Sequence, residues 1–338
     1  MEKLGAAVIG LRMGRAHAEG YSKNPNVRLV AFCDKDEKQL ADVAKQYGVT
    51  DTVTDYRRLL DRKDIQLVSV ATPDQFHCEQ TVAFMNAGKH ILCEKPMAMT
   101  VEECEQMVAA ADRNKVTFMI GQVCRFTPGF MMAKKLVEGG EIGKLYLAES
   151  EYAHSYKHAL GVGGWRKDPV RLRQPFLGGA CHAVDVLRWI AGDIAETCAY
   201  ANHFCLTDWP VDDCTIAIFR FQSGVIGKAM GSIGCVRPYT MRSVFYGTEG
   251  TIIADNTSPQ VQICSNKLMS GAPQFTSIPV PQPASKPMLE EVGMFVDAVV
   301  NKKPCPLDAR QGARTVAACL AAVESAASGK PVKVKTDF

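Results

Sequence analysis

Three complete helix signatures, each set between short apolar runs, constrain this chain more than any other feature of its sequence. The runs Gly5–Gly10, Val27–Asp34, Ile65–Thr72, His90–Lys95 and Thr117–Val123 have the length and apolar character of buried strands. After the second run, Asp36 stands as an N-cap with Gln39 three residues on. Leu40, Val43, Ala44 and Tyr47 then recur at helical spacing until Gly48 ends the pattern. Thr100 and Glu103 open a second helix that continues through Met107, Val108 and Ala111, and a third closes at Gly88 just before the strand at His90. A helix between successive strands lets each run parallel to the last, so residues 1–123 are expected to fold as an α/β domain around a parallel sheet.

Beyond Val123 the period changes. Cys214–Phe221 alternates apolar and polar residues, Gln222-Ser223-Gly224 makes a turn, and Val225–Ile233 alternates again, which is the pattern of an antiparallel hairpin. Leu145–Tyr152, Arg242–Tyr246 and Thr251–Ala254 read as further strands, and Ala183–Trp189 as a helix covering one of their faces. Ala309–Ala327 predicts a last amphipathic helix, and Pro331–Val334 a terminal strand or tail. A chain of 338 residues exceeds the roughly 100–200 of one domain. Residues 124–338 are therefore expected to form a second, α+β domain with an open, mostly antiparallel sheet. The uncovered face of such a sheet needs burial elsewhere, which predicts a homodimer or homotetramer through it.

Lys+Arg 39 against Asp+Glu 36 leaves a net charge of +3 without a dense basic run, so no nucleic-acid partner is expected. No stretch approaches the roughly 20 apolar residues of a bilayer span, and Met1-Glu2-Lys3-Leu4 runs into the first strand without a leader pattern. The 13 cysteines are odd in number, scattered and without a Cys-x-x-Cys pair, which suggests neither disulfides nor zinc. These features predict a cytoplasmic protein with no membrane partner.

Gly10-Leu11-Arg12-Met13-Gly14 lies where the first strand hands over to the first helix, a place where backbone N–H groups and the helix dipole favour a pyrophosphate. The loop is shorter than a full G-x-G-x-x-G fingerprint, and Arg12 stands where glycine would allow the closest approach. A tight turn without a ligand reads equally well from these residues alone. Asp34, ending the second strand about 20 residues later, supplies a carboxylate that accepts from adenosine ribose hydroxyls. Its charge repels a 2′-phosphate and so favours NAD over NADP, with Lys35 and Arg12 softening the discrimination. A helix-capping or solvated aspartate is the competing reading. Ala71, Thr72 and Pro73 end a later strand on the carboxyl edge and are expected, with His77, on the nicotinamide side.

Taken in order, Gly10–His17, Ala71-Thr72-Pro73, Ala87–Pro96, Glu141-Ile142-Gly143, Cys181–Asp185 and Gly247–Thr251 resemble the Gfo/Idh/MocA family of glucose-fructose oxidoreductases and inositol dehydrogenases over nearly the whole chain. Glu94-Lys95-Pro96 is the most specific of these stretches. The resemblance implies an N-terminal Rossmann domain and an NAD-dependent dehydrogenase acting on CH–OH groups, which passes a hydride between nicotinamide and a ring hydroxyl of a sugar, inositol or related polyol. It implies that Glu94 and Lys95 lie at the cofactor and that Lys95 hydrogen-bonds the reacting hydroxyl, stabilising the charge that grows on its oxygen. It also implies a cis bond before Pro96.

His182 follows the Gly178-Gly179 turn and opens a helix. An imidazole titrates near neutral pH, so it suits the general base that takes the hydroxyl proton. Relatives place an aspartate where Gly178 stands. The orienting carboxylate is therefore expected at Asp185, one turn after His182, with service to the helix dipole alone as the competing reading. Arg125, Trp165 and Arg166 resemble substrate-facing residues of the family, although an arginine also clamps domains and a tryptophan also packs in cores. His154, near Tyr152 and Tyr156, reads as a hydroxyl-binding group. A metal pair with His158 needs a helix where the sequence reads as strand then loop, so no metal is expected.

Two further functions use the same residues. In one, oxidation of a glycoside hydroxyl acidifies a neighbouring C–H, a leaving group is eliminated and the hydride returns, so the cofactor recycles within each turnover. In the other, the chain only senses dinucleotide, which requires neither Lys95 nor His182.

Overall fold

Leu4–Ile9 (β1), Val27–Cys33 (β2), Asp51–Val53 (β3), Leu67–Val70 (β4), His90–Glu94 (β5) and Phe118–Gly121 (β6) form one sheet in the order β3-β2-β1-β4-β5-β6. These are observations on a computed structural model, which describes residues 2–159, 161–168, 173–268, 271–282 and 287–338. Every neighbouring pair in this sheet runs parallel. The connecting helices are Leu11–Lys23 (α1), Glu37–Tyr47 (α2), His77–Asn86 (α3) and Val101–Asn114 (α4). Asp36 caps α2 by accepting from the Gln39 N–H at 3.0 Å, and Thr100 caps α4 by accepting from the Glu103 N–H at 3.1 Å. The returning halves of both boxes differ from the sequence pattern. The Asp36 N–H is taken by Asp34, so Gln39 turns its amide to Asp34 as well, while Glu103 accepts from Met99. β3 escaped the sequence reading because three residues show no period.

Leu145–Ala153 (β7), Ile194–Asn202 (β8), Cys214–Phe221 (β9), Ile226–Ser232 (β10), Thr240–Gly247 (β11), Gly250–Asp255 (β12), Gln260–Ser265 (β13), Thr276–Pro279 (β14) and Val332–Lys333 (β15) build the second sheet, in the order β14-β13-β12-β11-β7-β10-β9-β8-β15. Only the β7–β10 pair is parallel, so the mostly antiparallel expectation holds. The expected hairpin is β9–β10, turning at Gly224 with φ +85. Helices Pro128–Glu138 (α5), Pro175–Gly178 (α6) and Cys181–Ala191 (α7) accompany this sheet. The entry to α7 comes so close to β10 that a Cβ at Gly231 would lie 2.7 Å from Ala180 Cβ. Ala217, Phe219 and Phe221 are buried on that inner face, whereas Ile216, Ile218 and Ile226 on the outer face are 43%, 57% and 52% exposed.

Met288–Val300 (α8) and Ala309–Ser328 (α9) follow. The chain divides differently from the single boundary expected after residue 123. One compact unit joins residues 1–122 to Met288–Val316 and Phe338, and the other comprises Val123–Pro287 and Ala317–Asp337. Packing explains the return. α8 covers α1, where a Cβ on Gly20 would lie 2.8 Å from Val292, and the Ile120 N–H donates to Leu307 O at 2.9 Å. No helix among the described residues is long and apolar enough to cross a membrane.

Candidate active site

Parallel register aligns the strand ends of the first unit. Ile9 pairs with Cys33 and with Val70, and Val70 with Cys93. Gly10, Asp34, Ala71 and Glu94 therefore emerge along one carboxyl edge, where open α/β sheets hold their ligands. Gly10 has φ +83, and a Cβ there would lie 2.7 Å from Ala71 O, so neither the turn nor the neighbouring loop admits a side chain. Gly14 packs α1 onto β1, its Cβ position being 2.5 Å from Val8 Cγ1. The first turn of α1 holds no acidic residue and Gly10 offers no capping side chain, so the positive dipole end of α1 is met only from other elements. Arg12 beside it is exposed and Met13 half-buried.

Asp34 reaches the same loop. Its Oδ2 accepts from the Leu11 N–H at 2.6 Å and from Gln39 Nε2 at 3.1 Å, while Oδ1 accepts from the Asp36 N–H at 2.9 Å. The capping reading of Asp34 is thus realised, at the very edge that ribose recognition requires.

The end of β5 is held by buried side chains. The Lys95–Pro96 peptide is cis. Glu94 Oε1 lies 3.1 Å from His17 Nε2, and Glu94 Oε2 accepts from the Lys95 N–H at 3.1 Å. Lys95 is half-buried. Glu291 of α8 is fully buried, and its carboxylate lies within 4.8 Å of the His17 and Glu94 donor atoms. Among the described residues these three are the one group converging closely enough for a metal ion, a grouping not legible in the sequence. His77, expected at the cofactor, lies beneath the loops at 0% exposure. Its Nδ1 is 2.9 Å from Pro96 O and its Nε2 2.9 Å from Thr72 O. Burial by itself lowers the pKa of His77, but Cys93, Asp74 and the Pro96 carbonyl outweigh it and hold the value at about 10. Thr72 also donates its hydroxyl to Gln80 at 2.8 Å, and Pro73 is half-buried beside it.

In the second unit α7 carries His182, which is buried, and Asp185. A Cβ on Gly178 would lie 2.2 Å from Arg173 Nε, so that guanidinium fills the space an aspartate at 178 would need. Asp185 accepts from Arg125 through both oxygens, at 2.7 and 2.8 Å, with both side chains buried. This ion pair places Arg125 and Asp185 against each other, a pairing absent from the sequence reading, which set Arg125 against substrate and Asp185 behind His182. Arg125 also lies over the Trp189 ring at 5.6 Å.

Tyr152 stands beside His182 with ring centroids 6.4 Å apart. Its hydroxyl is 3.1 Å from His154 Nδ1 and 3.0 Å from the Tyr156 hydroxyl. The ring of Tyr239 lies 5.5 Å from that of Tyr152 and 5.0 Å from that of His154. Arg166 covers Tyr156 at 5.6 Å and Trp165 at 5.0 Å. Burial raises the phenol pKa of Tyr152 and Tyr239 far above the ordinary value, so both remain donors. The structure thus gathers His182, His154, Trp165 and Arg166 around three tyrosines, whereas His158 is exposed. Tyr239 was missed because a lone tyrosine in a loop carries no local signal.

Residues 4–122 match the sequence profile of an oxidoreductase family with an NAD-binding Rossmann fold, and residues 130–253 match the Gfo/Idh/MocA C-terminal domain. The chain belongs to the Gfo/Idh/MocA family. It is an NAD-dependent oxidoreductase, and its first unit carries the family's Rossmann domain. Among Gfo/Idh/MocA relatives, myo-inositol 2-dehydrogenase of Thermotoga maritima is 26% identical over 337 residues, covering 97% of this chain and 98% of that one. Levoglucosan dehydrogenase of Pseudarthrobacter phenanthrenivorans is 28% identical over 293 residues, covering 75% and 74%. A solved structure of levoglucosan dehydrogenase in complex with NADH and levoglucosan matches with a TM-score of 0.92 at 25% identity, over 99% of this chain and 100% of that one.

Proposed function

We propose that this Gfo/Idh/MocA oxidoreductase transfers a hydride between NAD and a ring hydroxyl of a sugar, inositol or related polyol. The observation that carries this reading is the common strand edge of Gly10, Asp34, Ala71 and Glu94, and the substrates named for its relatives support the class. NAD, when bound, supplies the hydride acceptor. Gly10, Arg12, Met13 and Gly14 bind the pyrophosphate and Asp34 the ribose, in preference to NADP. Ala71, Thr72, Pro73 and Glu94 border the nicotinamide. Lys95 donates a hydrogen bond to the reacting oxygen and stabilises its developing negative charge, while His182 takes the hydroxyl proton on its ring. His154, Trp165 and Arg166, with the hydroxyls of Tyr152 and Tyr156, recognise the polyol. Arg125 and Asp185 act one step back, by fixing the helix that carries His182. The protein works as a homodimer or homotetramer through the outer face of its second sheet, where Ile216, Ile218, Ile226 and Tyr200 are exposed. Its location is the cytoplasm, and no disulfide joins the cysteines.

The test is a panel of inositols, hexoses, anhydrosugars and glycosides with NAD, followed by absorbance of the reduced nicotinamide. Lys95→Ala and His182→Ala should each keep cofactor affinity and lose about 10²- to 10⁴-fold in turnover. NADH formed in step with product supports the reading. Product formed without net NADH favours oxidation–elimination instead, and unchanged turnover in either variant removes that residue from the chemistry.

A further inference from the structure

Two buried histidines grip the segment that carries Lys95 from opposite ends. The first belongs to α1 and sits in a chain of bonds. Tyr21 is fully buried, and that burial, with Glu291 nearby, raises its pKa, so its phenol stays protonated, 2.9 Å from Ser69 Oγ. Ser69 Oγ in turn lies 3.0 Å from His17 Nδ1. His17 Nε2 lies 3.1 Å from Glu94 Oε1, while Glu94 Oε2 accepts from the Lys95 N–H at 3.1 Å.

The second histidine opens α3. His77 faces two carbonyl oxygens, Pro96 O and Thr72 O, each 2.9 Å from a ring nitrogen. A carbonyl accepts and never donates, so both nitrogens must carry protons and the ring is an imidazolium. Its pKa of about 10 agrees, with Cys93 and Asp74 as the flanking groups that favour the charge.

We propose that His17 and His77 are positioning residues for Lys95: the His17 ring fixes Glu94, the His77 ring fixes Pro96, and the backbone between them is held still. Both rings have 0% exposure, so neither meets substrate. Each nevertheless spends a bond on Glu94 or Pro96, the two residues flanking Lys95. A histidine that merely filled the core would have no reason to end on those two neighbours from two different helices. The inference rests on Lys95 being the group that stabilises the reacting oxygen.

The experiment combines nitrogen-15 spectra of the histidine rings in the whole enzyme with kinetics of His17→Gln and His77→Gln. At neutral pH, His77 should show two protonated nitrogens. Each variant should bind NADH within about threefold of the parent, while kcat falls about 10- to 100-fold, as misplacement of a catalytic group does. A lowered melting temperature with unchanged kcat per folded site would reduce both residues to scaffolding and overturn the proposal, as would a neutral His77 ring. Ser69→Ala, which removes the partner of His17 Nδ1, supplies the kinetic arm where His17→Gln does not fold, and the spectrum of the parent enzyme decides His77 without any variant. Unchanged turnover in Lys95→Ala would instead overturn the catalytic reading itself.

Discussion

Replacing Arg125 with methionine removes one partner from the buried pair beneath α7. Arg125 and Asp185 make two hydrogen bonds of 2.7 and 2.8 Å, with side-chain exposures of 6% and 1%. Methionine keeps much of the apolar stem but strips the Asp185 carboxylate of its bidentate partner. Loss of one member of such a pair costs roughly 3–5 kcal/mol. Arg125→Lys keeps the charge and loses the fork, for a smaller cost of about 1–3 kcal/mol. Arg125→Met with Asp185→Leu removes both charges and should return close to the parent, because the desolvation penalty of the pair disappears with its attraction. The assay is convenient, since all three tryptophans, Trp165, Trp189 and Trp209, belong to the second unit. Urea unfolding followed by tryptophan fluorescence therefore reports on the unit that holds the pair. A cost below about 1 kcal/mol for Arg125→Met, or strictly additive effects in the double variant, would refute the argument from burial.

Gly10→Ala should weaken NAD binding by at least about tenfold, a loss of roughly 1.4 kcal/mol, because a Cβ meets Ala71 O at 2.7 Å in a backbone at φ +83; a fluorescence titration with NADH giving the parent's Kd would exclude this. His77 has a folded pKa of about 10 against an ordinary 6.5, so the folded state binds its proton more tightly than the unfolded chain does. The stability it contributes is complete below about pH 6.5 and is lost as pH rises to about 10. Across that window the parent's melting temperature should fall more steeply than that of His77→Gln, and parallel curves would contradict the assignment.

The features legible in the sequence were those fixed by neighbouring residues. Asp36 with Gly48, and Thr100 with Glu103, announce helix ends locally. Gly10 and Asp34 are readable because a strand–turn–helix puts them in place whatever the rest of the chain does. The features that were not legible depend on partners far along the chain. Arg125 and Asp185 are 60 residues apart, and nothing in either stretch says that each neutralises the other. His77 looks like a cofactor ligand in a strand-end loop, and only the arrival of Pro96 and Thr72 on its two nitrogens turns it inward. α8 has an amphipathic face, but that this face packs on α1 is decided by Gly20, far earlier in the sequence.

The return of α8 to the first unit has a consequence for how the protein is made. Residues 1–122 leave the ribosome early, yet the helix that closes over α1 and delivers Glu291 is translated only after the whole of Val123–Pro287. The nucleotide-binding half must wait, its flank uncovered, while a second unit is synthesised in between, and a nascent chain stalled before residue 288 lacks the Val292 that packs on Gly20 of α1.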